Sequence, residues 1–326
     1  MFLYMFPLGL SCVILKMAKS IKHRDKLKKL ATLETNITTT IGPVRVCFDQ
    51  EFRIGTGCGG TAVFVGLLKD GSEVAVKRAV INFSKHLNAN NKEKEILSSL
   101  PVKTSPHIVN YRCFKYEDPF SYLVLDLCEE TLEDYVKTHD EEHLKCHGPV
   151  IIREILSGLC ALHGGENKIL HLDLKPQNIL VDSEGHMRLA DFGISRILNI
   201  EQTTLETGQM GTRGWIAAES LDEPGNKAKF KRKSDIQVAG MISFYVLMKG
   251  QHPFGTINYR VPNIIEGKPV NLDQLSDSLA KDFVAKMISH KIEDRPYAEE
   301  ALQHPFLQIK PGNYLFIFFL HFKLAR

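Results

Sequence analysis

Within eight residues, the stretch His171-Leu-Asp-Leu-Lys-Pro-Gln-Asn178 carries a carboxylate, a cation and a side-chain amide of the kind that ligates metals. Two strand-like runs follow, Ile179–Asp182 and Met187–Ala190, joined by Ser183–Gly185. Paired as a hairpin, they return Asp191-Phe-Gly193 to the neighbourhood of the loop, although Asp191 lies thirteen residues beyond Asn178. Any fold for this chain has to hold Asp173, Lys175, Asn178 and Asp191 together.

The hydrophobic period changes on either side of position 129. Val63–Leu68 and Glu73–Arg78 flank the turn dipeptide Asp70-Gly71 and are predicted to pair as an antiparallel hairpin. Lys92–Leu100 reads as a helix and Ser121–Leu127 as an apolar strand. After Glu129 the spacing turns helical, with Ile152, Ile155, Leu156, Leu159 and Leu162 on one buried face. Further helices are predicted over roughly Asp235–Lys249 and Leu279–Ile288. A β-rich part therefore precedes a mainly helical part.

Upstream, Gly55, Gly57 and Gly60 form a G-x-G-x-x-G loop. Glycine lets backbone N–H groups approach phosphate without a Cβ in the way. The Lys-Ser/Thr ending of a Walker A loop is absent, and a second strand follows where a dinucleotide fold needs a helix. In the next strand, Val74-Ala-Val-Lys77 surrounds a lysine with apolar residues. Its ammonium needs a partner to offset desolvation, and Glu93 is the suitable carboxylate, with Glu95 the competing choice.

Loop, lysine strand, catalytic loop and D-F-G, in this order, resemble the eukaryotic protein kinase family over about Phe52 to Leu307. The resemblance implies an α+β, two-lobed fold with a β-rich small lobe and a mainly helical large lobe. It implies ATP and Mg²⁺ as cofactors and a protein substrate. Asp173 then accepts the substrate hydroxyl's proton and Lys175 stabilises the transferred phosphoryl group, while Asn178 and Asp191 hold Mg²⁺. Lys77, paired with Glu93, contacts the α/β-phosphates. Leu125 takes the gatekeeper position, and Asp126-Leu-Cys128 is the hinge whose backbone binds adenine. Glu219 is expected to pair with Arg295, and Asp235 to be the buried aspartate of the central large-lobe helix.

Gly60-Thr-Ala-Val63, Val74-Ala-Val-Lys-Arg78, Asp126-Leu-Cys-Glu-Glu-Thr-Leu-Glu-Asp-Tyr-Val136, Gly211-Thr-Arg-Gly-Trp-Ile-Ala217 and His252-Pro-Phe-Gly255 sharpen the resemblance. They are similar to the kinase module of the inositol-requiring kinase/endoribonuclease family of the unfolded-protein response. About twenty residues follow His304-Pro-Phe306. The expectation is therefore a kinase module without a ribonuclease domain and without a nucleic-acid partner. A serine/threonine kinase that phosphorylates itself is one reading; a nucleotide-binding dimerisation module, with a second copy as partner, is the other. Lys175 and the absence of tyrosine from Asp191–Glu219 favour serine or threonine as acceptor. Ser195, Thr203, Thr204 and Thr207 are the candidate sites.

Three positions depart from the family pattern. Leu172 stands where an arginine usually binds the activation-loop phosphate, Ala218 replaces the proline of A-P-E, and Gln237 replaces an aromatic residue. The first predicts weak switching by charge, and the other two read as packing changes.

The ends differ from the body. Met1–Leu15 is apolar, and Lys16 to Lys29 holds seven Lys/Arg against Asp25, a balance of +6. With a net charge of +3 overall, the rest carries about −3, which argues against a duplex-binding surface. The basic run reads as a solvated linker or, beside the apolar start, as a contact for an anionic membrane through residues 1–29. Seven cysteines without a C-x-x-C pair fit a reducing, cytoplasmic setting, with attachment to the cytosolic face of the endoplasmic reticulum as the alternative. Cys58 is notable because it falls in the glycine loop. The expected organisation is an N-terminal segment outside the fold (1–46), a small lobe (47–127), a large lobe (129–308) and an unstructured tail (309–326).

Overall fold

Along Glu73–Val80 (β5), the alternation of the strand turns Val74, Val76 and Arg78 to one face and Ala75, Lys77 and Ala79 to the other. The computed structural model describes residues 19–57, 60–80, 93–165, 168–198, 202–207, 210–221 and 228–308. Cys58, Met1–Leu15 and the tail after residue 308 lie outside the described residues. Among the described residues no helix is long and apolar enough to cross a membrane. The chain divides into two units, the first comprising residues up to 98, 109–130 and 181–185, the second the remainder.

The first unit is built on a seven-stranded antiparallel sheet. Its strands are Thr39–Ile41 (β1), Val44–Val46 (β2), Arg53–Thr56 (β3), Ala62–Leu68 (β4), β5, Tyr111–Glu117 (β6) and Phe120–Asp126 (β7). They run in the order β1-β2-β4-β5-β7-β6, with β3 added to β4. The predicted hairpin is β4–β5, and Val63 and Leu123 face Lys77 from its neighbouring strands. Val44, Val46, Phe64, Val74, Val76 and Val124 form the core on one face. The Arg78 guanidinium sits over the rings of Phe48, Phe64 and Phe120 at 4.4, 5.1 and 4.8 Å. These contacts let a cation occupy an otherwise apolar face.

The expectation that residues 1–46 stay outside the fold is not met over 19–46. Arg24–Thr32 is a helix (α1) whose Leu27 and Leu30, three positions apart, are buried in the sheet's core. Lys26, Lys28 and Lys29 occupy the other sides of the helix, so this part of the basic run is the outer face of a packed element. Two carboxylates tie down the chain before it. Glu73 accepts from the Lys19 and Ser20 amides at 2.9 Å each, and Glu129 from those of Ile21 and Lys22.

The second unit centres on two long helices, Glu141–His163 (α3), which follows Leu132–Thr138 (α2), and Arg232–Leu247 (α4). Asp140 caps α3 through the His143 amide, and the predicted face from Ile152 to Leu162 is buried. Every residue of α4 from Ser234 to Leu247 is buried. Between the helices run short strands: Lys168–Leu170 (β8), Ile179–Val181 (β9), Met187–Leu189 (β10), Arg196–Leu198 (β11), Leu205–Thr207 (β12) and Ala228–Phe230 (β13). β8 pairs with β11, and β12 with β13. Ser278–Met287 (α5) packs on α4. Residues 99–108 belong to this unit rather than to the small lobe, because Leu100–Thr104 packs on α3 and Ile108 bridges to Leu189.

An ion pair, a histidine–aspartate contact and a glutamine brace the helices. Arg295, 1% exposed, makes a bidentate bridge to Glu219 at 2.9 and 2.8 Å and spends its other N–H groups on the carbonyls of Ser289, Lys233 and His290. Asp235 pairs with His163 at 2.9 Å. Gln237 is fully buried; its Oε1 accepts from the Ala218 amide at 2.8 Å and its Nε2 donates to the Ile288 and Ser289 carbonyls. The departures at 218 and 237 are thus one unit. A proline at 218 offers no N–H, and only a residue with one gives a glutamine at 237 its donor.

Two measurements follow from this packing. Leu30→Ala should cost about 2–5 kcal/mol of unfolding free energy in urea, against a few tenths for the exposed Lys28→Ala. A cost near zero at Leu30 would mean that α1 is not part of the folded unit. Gln237→Leu should cost about 1–3 kcal/mol by stranding the Ala218 amide. Ala218→Pro, for which Ala217 already has suitable extended backbone, should then add little in the Gln237→Leu background. Effects that sum within about 0.5 kcal/mol would refute the coupling.

Candidate active site

In the first unit, the glycine loop and the lysine strand are adjacent strands of one sheet. The loop closes with the Gly57 amide donating to the Thr61 carbonyl at 2.8 Å, and Gly60 has φ +81, a conformation that favours glycine. Gly55 lies opposite Val63 on β4. Lys77 Nζ is 3.0 and 3.3 Å from the Glu93 carboxylate oxygens. Glu93 is 1% exposed, in a helical stretch over residues 93–98 that buries Ile96 and Leu97 beside it. Glu95 is exposed, so the choice between the two carboxylates falls to Glu93.

The hinge residues behave differently from one another. The Asp126 carboxylate accepts from Asn110 and Arg112, and its amide donates to the Asn110 carbonyl, so this side chain braces β6 against β7. Cys128 is buried, and the next amide, of Glu129, donates to the Val181 carbonyl.

In the second unit, the loop after β8 is shaped by the buried Asp235 of α4. Its carboxylate accepts from the amides of His171 at 2.9 Å and Leu172 at 3.1 Å as well as from His163. Burial alone would raise its pKa; the hydrogen bonds from the His163 ring and the His171 amide act against this, and the pKa is lowered. His171 is itself fully buried, and burial pushes its pKa down. As a neutral ring it donates from Nε2 to the Ala190 carbonyl and accepts the Asp173 amide at Nδ1.

Held in this way, the loop gathers its polar side chains. Lys175 Nζ lies 2.8 Å from Asp173 Oδ2, and Asn178 Nδ2 donates to Asp173 Oδ2 at 3.0 Å and to its carbonyl at 2.8 Å. Thr212 closes the group: its hydroxyl donates to Asp173 Oδ1 at 2.6 Å and accepts from Lys175 at 2.7 Å. Thr212 has no role in the sequence reading, because 39 residues separate it from Asp173. Gly211 was the available signal. With φ +103, it passes so near the loop that a Cβ would lie 2.7 Å from the Leu172 carbonyl.

Asn178 and Asp191 are brought together through the backbone, since the Ala190 amide donates to the Asn178 carbonyl at 2.9 Å. Both Asn178 amide protons go to Asp173, which leaves Oδ1 as a hard oxygen donor. Asp191 adds a carboxylate, with φ +64, a conformation aspartate tolerates. Among the described residues no group of three or more His, Cys, Asp or Glu could hold a metal. A pair of oxygen ligands suits Mg²⁺, which takes one or two protein oxygens and fills its shell with phosphates and water.

Leu172 is buried with Leu170, Leu198, Ala228 and Phe230, and Leu205 packs against the same cluster. An apolar contact stands where the family pattern has a charge. Of the candidate acceptors, Ser195 is buried and donates to the His171 carbonyl, which makes it a brace. Thr203 is exposed and Thr204 half-buried. The Thr207 side chain lies outside the described residues.

Comparison with known proteins agrees with this arrangement. Residues 48–307 match the family described as protein kinase domain. The chain is 36% identical over 270 residues to the serine/threonine-protein kinase/endoribonuclease ire-1 of Caenorhabditis elegans, covering 78% of this chain and 26% of that protein. It is 34% identical over 289 residues to the serine/threonine-protein kinase/endoribonuclease IRE2 of Homo sapiens, covering 84% and 30%. It is also 34% identical over 293 residues to the probable serine/threonine-protein kinase irlD of Dictyostelium discoideum, covering 82% and 18%. The chain thus spans less than a third of the length of these relatives. With the kinase match running through the glycine loop, Lys77, Asp173 and Asp191, the chain belongs to the protein kinase domain family.

Proposed function

We propose that the chain is an ATP-dependent serine/threonine kinase that phosphorylates itself and protein substrates, related to the kinases of the unfolded-protein response. The observation that carries this reading is the closed set of hydrogen bonds among Asp173, Lys175 and Thr212. It presents a carboxylate and an ammonium in fixed geometry, which phosphoryl transfer needs and a fold-bracing role does not.

In this reading the glycine loop from Gly55 to Gly60 and Lys77 hold the nucleotide phosphates, and the backbone at Asp126 to Cys128 binds the adenine. Glu93 keeps Lys77 aimed, its buried carboxylate holding the ammonium at 3.0 Å. Asn178 and Asp191 would hold Mg²⁺, which supplies charge neutralisation when bound. A serine or threonine hydroxyl hydrogen-bonds to Asp173, which takes its proton as the oxygen bonds to the γ-phosphorus and the bond to ADP breaks. Lys175 offsets the negative charge on the transferred group, and Thr212 keeps Asp173 and Lys175 in register. Two of the relatives named above, ire-1 of Caenorhabditis elegans and IRE2 of Homo sapiens, carry endoribonuclease in their names.

Asp173→Asn, which keeps shape and removes the base, should lower phosphate incorporation from Mg-ATP by about 10²-fold or more while ATP binding persists. Equal incorporation in both proteins would overturn the kinase reading, and ATP binding without transfer in the unaltered chain would favour the dimerisation module. Glu93→Ala should weaken ATP binding by about tenfold or more, whereas Glu95→Ala should leave it unchanged. Equal effects would remove the Lys77–Glu93 pair from the site.

A further inference from the structure

Away from Asp173, the second unit has a recess of about 280 Å³ whose lining is unusually basic. Lys168 contributes from the start of β8, and Lys231, Arg232 and Lys233 from the junction of β13 and α4. Among the described residues the only acid in the lining is Glu293, which is 74% exposed and lies 3.7 Å from Lys231. The remaining contacts hold the cations in place without neutralising them. Lys233 donates to the Glu293 carbonyl at 2.9 Å, and Arg232 to that of His163 at 3.4 Å. The Tyr297 ring lies 4.5 Å from the Arg232 guanidinium and 4.6 Å from the Lys233 ammonium. Four cations against one solvated carboxylate repel one another, and the cost falls when an anion enters.

Thr203 lines the same recess and is exposed. It stands two residues before Leu205, which is anchored in the apolar cluster around Leu172. A phosphate on Thr203 would bring a charge of about −1.5 to −2 and three acceptor oxygens to a residue that lines the recess with the cations. Arginine is suited to bind such a group with two N–H donors, and lysines add point charge.

We propose that this recess is a phosphate site, and that its occupant is the phosphothreonine formed at position 203 of the same chain. Leu172 is not in the lining of this recess, whose Leu198 it meets in the apolar cluster. The arginine lost at position 172 is replaced, as a phosphate anchor, by Lys168 and the Lys231-Arg232-Lys233 run. Occupancy draws Lys231 from Glu293 to the phosphate, and it ties the stretch before β12 to the N-terminal end of α4. The inference takes its source of phosphate from the proposed transfer activity, but the docking itself does not depend on it.

The test therefore installs phosphothreonine at position 203 of the full chain during translation, in the Asp173→Asn background, so that no activity of the chain is needed. The second ionisation of this phosphate, near pH 6 when free, is followed by ³¹P NMR. Its midpoint should fall by about one pH unit or more relative to the same phosphoprotein carrying Lys168→Gln and Arg232→Gln, and the difference should shrink in high salt. Coincident midpoints in the two proteins, both folded by circular dichroism, would overturn the proposal. Inorganic phosphate separates the sources. It should raise the melting temperature of the unphosphorylated chain and not that of the phosphorylated one. Equal stabilisation of both would show that the phosphothreonine does not occupy the recess. The lowered ³¹P midpoint together with no transfer from Mg-ATP by the chain with Asp173 intact would sink the kinase reading alone.

Discussion

Everything chemical in the second unit hangs on the carboxylate of Asp235. A buried charge of this kind costs several kcal/mol in desolvation and persists only if hydrogen bonds replace its water. Here the His171 and Leu172 amides and the His163 ring do so. The consequence runs outward from α4. With two successive amides pinned, the loop is held with Leu172 at φ +66, a conformation leucine avoids when nothing compels it. Asp173 and Lys175 follow from that turn, and Gly211 can then pass close enough to lay Thr212 across both. The site is rigid because the most buried helix of the unit carries its anchor.

Short-range chemistry was legible in the sequence. Lys77 in an apolar strand, the β4–β5 hairpin across Asp70-Gly71, and the loop from His171 to Asn178 with its returning D-F-G all lie within windows where spacing determines geometry. Even the choice of Glu93 over Glu95 had a signal. Ile96 and Leu97 are three and four residues beyond Glu93 and share its helix face, while Glu95 points elsewhere. What failed was long-range or disguised. In α1 the two apolar residues that bury the helix are outnumbered by lysines, so charge hid a packed face. Thr212 could not be assigned because no local period connects it to a carboxylate in another loop.

The departures from the family pattern sort differently once their neighbours are known. Ala218 and Gln237, read singly, look like two tolerated losses of bulk. Together they form a buried amide-to-glutamine bond with both ends of the side chain satisfied. A buried glutamine without these partners would strand groups that each cost about 1–3 kcal/mol, so neither change is easily reached alone. Leu172 is of another kind. It removes a charge from the loop and adds a side chain to an apolar cluster shared with β11 and β13.

That exchange alters what a phosphate on the following segment can accomplish. Where an arginine waits for an anion, the segment gains its order only when the anion arrives. In this chain the β12–β13 pairing and the packing of Leu205 against the apolar cluster around Leu172 already hold the segment. Fully burying a leucine is worth about 1.5–3 kcal/mol, comparable to one or two hydrogen bonds to a charged group. An added phosphate would therefore strengthen an existing arrangement by a similar amount instead of creating it. Charge then tunes how long the segment stays in place, and the apolar cluster determines where that place is.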